Sequence, residues 1–573
     1  MPAFNITTPT LRDVHFPVGG MDLSGPFVRQ KTKDVGEGVY ARTTPLGVNV
    51  RSRPGGGRLR GGSRGGLSKW IGTRGIGSTR WVVQGLAAVV GTGGTAVQTS
   101  QSGRVVTVVK VQQGLIYSAA VGAAAWTAAT NLTGGTPYLN ATGVIYSAAN
   151  RQKLYFADGN NWVVYDPAKN QAQTWAATAG TLPIDTASRK PRLICTWRGR
   201  TILSGLLGEP QGIYASAVDV PTDFDYAPAG GETGIISTAA WALTVGRQGE
   251  VGDMVTCLIP YSNDELIIGT DHEIHVLRGD PLAGGRRDLV TDSIGMLWGR
   301  PWCRLPDGRV IFMSNRGGVY SLFPSPGQTP KLLSYGITSE LDAINTGTRT
   351  VTMEWNDRER SVEIFVTPTG TNVYSTHYIL EVDTMAFFQR TFDRAGLNPL
   401  VTCVVDGNEP EDRAVLIGCR DGYVRYIDPD ADTDDGDVID SRVLIGPFLT
   451  PLLDELRVDQ LQAVLGLNDN DELFDDAEVD VSFFVANTPE EAIRLANGTD
   501  AEDWEDVEEV IERNRVKVGT LGPGLSPTFP VRLAGKALFI ELQSTKRWAL
   551  ESIRLRIAPT GKVGMRGGGG VVR

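Results

Sequence analysis

Apolar and polar residues alternate in short runs along most of the chain, and the runs come in pairs. LYFADGNNWVVYDP (Leu154–Pro167) is two strands of β-branched and aromatic residues around a Gly/Asn turn. The same form returns in LIIGTDHEIHVLRGDP (Leu266–Pro281), VIFMSNRGGVYSLF (Val310–Phe323) and VLIGCRDGYVRYIDP (Val415–Pro429), with weaker copies from Val105, Ile202 and Val362. The units starting at Val105, Leu154, Ile202, Leu266, Val310, Val362 and Val415 are spaced by 49, 48, 64, 44, 52 and 53 residues. A period near fifty built of hairpins predicts a β-propeller with blades of about four strands, since one blade cannot bury both faces without neighbours. The count is seven units, within a range of six to eight. The unequal spacings place insertions at blade rims. The G-H…W-D pairing and the per-unit Gly-Gly pair of kelch repeats are absent. A stack of β-sandwiches is the alternative architecture.

After Asp440 the pattern changes. LRVDQLQAVLGL (Leu456–Leu467), AEVDVSFFVA (Ala477–Ala486), FPVRLAGKALFIELQS (Phe529–Ser544) and ALESIRLRIAP (Ala549–Pro559) predict a second, sandwich-like β-domain. Within it, NTPEEAIRLA predicts a short helix with Thr488 as N-cap, Pro489 at N1 and Glu491 at N3. A second short helix is expected from Asp503 to Arg513, with Trp504, Val507 and Ile511 on one face. The predicted organisation is therefore all-β: residues 1–80 an extended Gly/Arg-rich arm, 81–440 a propeller, and 441–573 a β-sandwich-like domain. That last domain carries an acidic helical insertion near 487–515 and a Gly-rich tail.

Composition narrows the function classes. With 573 residues, 41% hydrophobic and 21% charged, the chain can bury more than one core and is not disordered. Its 69 glycines and 31 prolines favour strands and turns over long helices. No window approaches the roughly 18 apolar residues of a membrane-spanning helix, and MPAFNITTPTLRDVHF lacks the features of a secretory leader. Five cysteines (Cys195, Cys257, Cys303, Cys403, Cys419), none in a C-x-x-C pair, predict buried thiols in a reducing compartment. Four histidines leave little scope for acid–base or metal chemistry.

The net charge of −10 conceals two opposite regions. Ala41–Arg80 holds nine Lys/Arg and no acid, while Asp428–Glu512 holds 27 Asp/Glu and three Arg, a net of −24. The glycine-dense basic stretch RSRPGGGRLRGGSRGGLSKW reads as an arm that orders on a neighbouring subunit in preference to a nucleic-acid patch, because aromatics are not interleaved with its arginines.

Catalytic and ligand motifs fail on their spacing. GTGGTA (Gly91–Ala96) formally fits G-x-G-x-x-A, but strand-like alternation follows it, so a hairpin turn is expected. His272 and His275 in DHEIH stand three apart, which on a strand turns them to opposite faces. In DPDADTDDGD (Asp428–Asp437), an EF-hand counted from Asp430 would need glycine where Asp435 stands and glutamate where Ser441 stands. A solvated acidic linker is preferred there to a looser calcium site. No G-x-S-x-G elbow occurs. No cofactor, metal or catalytic residue is assigned, and an enzyme is not expected.

Two stretches carry a family resemblance. FPVGGMDLSGPFVRQ (Phe16–Gln30) with TTPLGVNVRSRPGGGRLRGGSRGGLSKW (Thr43–Trp70), and RWALESIRLRIAPTGK (Arg547–Lys562), resemble the two ends of tail nozzle, or tail tubular, proteins of short-tailed double-stranded-DNA bacteriophages. The resemblance implies a structural virion protein made in the bacterial host cytoplasm. It implies a ring of six copies below the head–tail adaptor, contacting a tail fibre or spike, through which duplex DNA passes without sequence-specific binding. On this reading Arg51, Arg53, Arg58, Arg60 and Arg64 are candidate contacts to a neighbouring subunit or the adaptor. Asp430, Asp432, Asp434, Asp435, Asp475 and Asp476 are candidate channel-facing acids, since an acidic lumen makes few phosphate contacts. The alternatives are a tail-associated propeller hydrolase or lyase acting on host polysaccharide, and a propeller scaffold for protein–protein interaction.

Overall fold

A computed structural model describes the chain apart from residues 1–9, 25–31, 35–39, 54–59, 76–81, 93–103, 133–137, 228–237, 246–251, 325–327, 370–372, 407–411, 450–454, 467–475, 499–506 and 561–573. Seven antiparallel sheets follow one another from Val83 to Asp428. The seven unit markers of the sequence share one phase. Val105, Leu154, Ile202, Leu266, Val310, Val362 and Val415 each lie in the second strand of successive blades: Arg104–Gln112, Lys153–Ala157, Arg200–Ser204, Glu265–Thr270, Val310–Met313, Ser361–Pro368 and Ala414–Cys419.

Strand alternation explains the closure. In the fourth blade Leu266 and Ile268 face back to the third, packing with Ile202 and Ile213, while Ile267 faces forward to Val310 and Phe312 of the fifth. A separate apolar core of this kind fills each gap between adjacent blades, including the gap between the seventh (Val401, Leu416) and the first (Val83, Val108). The first strands of the blades stand around the axis, with Pro399–Val405 of blade seven beside Val83–Thr92 of blade one. The fold is a seven-bladed β-propeller.

Blade seven takes its outer strand from far upstream. Gly66–Lys69 pairs antiparallel with Val424–Asp428, from Gly66 opposite Asp428 to Lys69 opposite Arg425. The segment expected to be an extended arm is thus woven into the fold: Val50–Ser52 pairs with Gly61–Ser63, and Gly61–Ser63 pairs with the C-terminal strand Ala549–Pro559. That C-terminal strand also pairs with Thr10–Val14 and Leu456–Leu465. These strands form one sheet of the predicted sandwich. The other sheet runs from Ser441–Phe448 through Ala537–Ser544 and Val479–Ala486 to Val516–Leu521. It continues through Gly47–Val48 into the outer strand of blade six, Ala386–Arg390, making one nine-stranded sheet shared by both parts. Between the two sheets lies a core containing Val14, Phe16, Val443, Leu461, Phe483, Ile540, Trp548 and Ile553.

The helix predicted from NTPEEAIRLA spans Pro489–Asn497. The Thr488 hydroxyl accepts from the Glu491 N–H at 3.2 Å, and the Glu491 carboxylate reaches back to the Asn487 N–H at 3.0 Å. Gly498 ends the helix at φ 64°, a left-handed conformation. Ala492, Ile493 and Ala496 bury against Phe484 and Phe539. Thr488→Ala is expected to cost about 1 kcal/mol of local stability, read as about fivefold faster hydrogen exchange at the Ile493 amide; unchanged exchange would contradict the cap. The second helix is described over Val507–Asn514, and its buried residue is Val510, whereas Val507 is half exposed. Trp504 lies outside the described residues.

Candidate functional site

The basic stretch becomes a set of internal fasteners where propeller and sandwich meet. Arg64 is 1% exposed. Its fork is bidentate on Asp434 at 2.9 and 2.6 Å, and it donates to Asn49 Oδ1, the Gly65 carbonyl and the Thr391 carbonyl, each at 2.9 Å. All five guanidinium donors are engaged, which is what lets a full charge sit in the interior. Arg51 is buried beside it, ion-paired to Glu359 and, at 3.0 Å, to Glu381 of blade six. Arg390 pairs with Glu363 at 2.8 Å.

These positions correct the expected contact surface. Arg51, Arg53 and Arg64 are buried within their own chain and cannot reach a neighbour. Arg60 is largely covered, its Nε donating to the Arg53 carbonyl at 3.2 Å. Arg58 lies outside the described residues. The glycines serve close approach: a Cβ on Gly62 would stand 2.0 Å from the Trp548 carbonyl oxygen, and one on Gly66 2.0 Å from that of Thr433.

The acidic loop answers these arginines. Asp434 is 1% exposed beneath Arg64, and Asp435 is held by Arg425 at 2.7 Å and Lys69 at 3.1 Å. Burial keeps Asp434 from lining any channel, which corrects that expectation; the local acidity of 428–437 neutralises interior arginines and is not a solvated linker throughout. Asp430, Asp432 and Asp476 are exposed, and Asp475 lies outside the described residues. Among the described residues no group of His, Cys, Asp and Glu is placed to hold a metal ion. All five thiols are buried, and burial pushes Cys257 and Cys419 up to about 12. Most of GTGGTA falls outside the described residues.

Three carboxyls, Glu359, Glu363 and Glu381, share two guanidiniums, Arg51 and Arg390, in a dry environment. Burial, with Glu359 and Glu363 nearby, raises Glu381 to about 8 despite Arg51. His377 has the opposite shift. Burial, then the charges of Arg390, Arg64 and Arg349, lowers it to about 3. Its Nδ1 accepts from the Val366 N–H at 3.1 Å while Nε2 meets Asn398 Oδ1 at 2.9 Å, the pattern of a neutral ring donating through Nε2.

The two shifts act on different pH windows. A carboxyl raised on folding stabilises below its unfolded value and loses that contribution as pH rises through about 8. A histidine lowered on folding loses its contribution as pH falls below its unfolded value towards about 3. Between pH 6.5 and 8 the Glu381 contribution to stability should fall. Urea unfolding at both pH values is expected to show this loss in the native chain and not in Glu381→Gln; an equal loss in both would contradict the assignment.

A cavity runs along the propeller axis. Its shaft, about 430 Å³, is lined by the blades' first strands, with Thr196, Arg300, Trp302, Thr352 and Thr402 among them. A second cavity of about 530 Å³ shares Val144, Tyr146, Thr350 and Val351 with the shaft and is lined also by Arg192, Trp298 and Arg349, forming a mouth. Sequence reasoning missed these arginines. Their signal was positional: Arg192 and Arg300 lie just before the first strands of blades three and five, and Arg349 opens that of blade six.

No known family matches the chain, and no curated protein matches it. Among solved structures it is similar to YCF48 bound to D1 peptide, at 13% identity over 61% of this chain and 96% of that one, with a TM-score of 0.34. YCF48 from Cyanidioschyzon merolae matches at 9% identity over 64% of this chain and 99% of that one, with a TM-score of 0.37. The extracellular domain of the putative hybrid two component system BT4673 from B. thetaiotaomicron matches at 11% identity over 71% of this chain, with a TM-score of 0.37; the chain spans 44% of that protein's length. These likenesses carry no functional assignment, and the architecture rests on the sheet order and the seven inter-blade cores described above.

Proposed function

We propose that the chain is a structural building block of a virion: a subunit of the tail nozzle ring, six-fold, of a short-tailed double-stranded-DNA bacteriophage. In this role it sits below the head–tail adaptor, contacts a fibre or spike, and frames part of the channel through which the genome leaves. One observation carries the reading. The two stretches that resemble nozzle proteins stand at opposite ends of the chain, and parts of them pair in the fold: Gly61–Ser63 pairs with Ala549–Pro559. Phe16 meets Trp548 edge-on, with ring centroids 6.4 Å apart. Parts of both resembling stretches therefore meet in one sandwich.

A ring that conducts DNA needs subunits that do not open under load. Here the sandwich is continuous with blade six, and Gly66–Lys69 ties blade seven to the same segment. Lumenal surfaces that are acidic leave phosphates few contacts, so a duplex slides; Asp430, Asp432 and Asp476 remain exposed and available to such a surface. Quantitative mass spectrometry of virions of the phage encoding the chain is expected to find six copies per particle. Absence from virions, or depolymerisation of host polysaccharide by the isolated chain, would overturn the proposal.

A further inference from the structure

The axial channel presents more cationic donors than its own structure uses. Arg192 lies over Trp298, its guanidinium carbon 4.3 Å from the ring centroid, and its side chain makes one hydrogen bond, from Nε to the Gly205 carbonyl at 3.3 Å. Arg349 donates from Nη1 to Ser375 Oγ at 2.9 Å. Arg300 is paired through Nη2 with Glu354 at 3.1 Å and is 40% exposed. A guanidinium carries five donors. Among the described residues the remaining donors of these three have no protein acceptor, in contrast to Arg64, where all five are engaged.

Among the described residues, the acids near them pair with Arg300 alone, through Glu354. Asp158, at the mouth, is occupied by the Asn140, Asn160 and Asn161 N–H groups and the Asn161 amide, at 2.6–2.8 Å. Asp271 shares the mouth, where burial and neighbouring Asp253 disfavour its charge. Burial likewise raises the Glu354 carboxyl, against the pull of Arg300. Arg192 and Arg300 both act electrostatically on the Tyr146 hydroxyl, which places their fields on one stretch of the axis. Guanidiniums gathered along one channel suit an oxyanion that supplies both charge and acceptors, since their planar forks match carboxylate and phosphate.

We propose that the propeller axis is a binding site for a small organic polyanion bearing two or more carboxylate or phosphate groups, held by Arg192, Arg300 and Arg349. Arg300 lines the shaft of about 430 Å³, and Arg192 and Arg349 line the adjoining mouth of about 530 Å³, space enough for such a molecule. Trp298 stiffens Arg192, so the fork is oriented before the ligand arrives. Thr196, Thr352 and Thr402 line the shaft with their hydroxyls satisfied, that of Thr196 by the Ala149 carbonyl and those of Thr352 and Thr402 by each other. Neutral sugars would leave the arginines uncompensated, so the site discriminates by charge. The inference is independent of the virion role.

Calorimetric titration of the full chain at low ionic strength tests it, with citrate as the carboxylate probe, pyrophosphate as the phosphate probe and glucose as the neutral control. At least one anion is expected to bind at one site per chain and to weaken at least tenfold in Arg192→Gln and in Arg300→Gln, while glucose gives no heat. Whichever probe binds more tightly identifies the oxyanion class. Arg192→Lys, which keeps the charge and loses the fork, is expected to fall between native and Gln; this variant guards against misfolding of the Gln forms, and circular dichroism and melting verify each protein. Absence of binding by both anions at millimolar concentration, binding unchanged in both Gln variants, or glucose binding as tightly as the anions would overturn the proposal.

Discussion

Replacing Arg64 with methionine is expected to destabilise the protein by about 3–5 kcal/mol, because removing one partner of a buried ion pair leaves the other as an uncompensated interior charge. Asp434 would be that charge, 1% exposed and stripped of both strong bonds. The loss extends past one pair, since Arg64 also ties Asn49 and the Thr391 carbonyl and so joins the N-terminal segment, the blade-six side and the acidic loop. Asp434→Asn alone should cost a similar amount. The double variant should cost clearly less than the sum of the singles, because each single change already destroys the same pair. Urea unfolding followed by tryptophan fluorescence measures this. A change below about 1 kcal/mol for Arg64→Met, typical of a surface ion pair, would show that the arginine is solvated.

Gly62→Ala and Gly66→Ala are expected to produce the second-largest effect. The added methyl would stand 2.0 Å from a backbone carbonyl oxygen at each site, Trp548 for Gly62 and Thr433 for Gly66. Backbone in paired strands cannot swing aside as a flexible side chain does, so each substitution should cost about 3 kcal/mol, at the upper end of overpacking penalties. The failures should differ in place. Gly62→Ala parts the N-terminal segment from the C-terminal strand, whereas Gly66→Ala opens blade seven. Limited proteolysis should then cut residues 61–67, buried in the native chain. Gly72→Ala is the control, since nothing lies within 4 Å of its added Cβ. Equal stability of all three variants would contradict the closure described here.

The parts legible in the sequence were those in which one strand's pattern reports one strand's environment. In Leu266–Ile268, successive residues face successive blades, and the resulting apolar run around a turn is a local signal that repeats seven times. The four strands after Asp440 and the Thr488 cap were legible for the same reason, their information lying within a few residues. The N-terminal segment was not. Gly61–Ser63 and Gly66–Lys69 are three and four residues long, and their partners are Ala549–Leu550 and Val424–Asp428. No local alternation marks a strand made of glycine and serine.

Buried arginine misleads for a related reason. Arg51 and Arg64 lie inside because Glu359, Glu381 and Asp434 are carried to them by distant parts of the chain. From composition alone the basic and acidic stretches look like two surfaces. In the fold, part of each is the inside of the other. The remaining signal was the glycine spacing itself, since backbone contact at 2.0 Å from a hypothetical Cβ admits no other residue. The axial arginines were harder to find still, because only closure of the seven blades brings residues 192, 300 and 349 to one tube.

Electron cryo-microscopy of the purified chain, alone and with the head–tail adaptor of the phage that the proposal implies, tests the proposed nozzle role most directly. The account predicts a six-fold ring around an open hole, each subunit showing a seven-bladed disc joined to a sandwich. Particles that stay single 61.7 kDa chains under both conditions would contradict it.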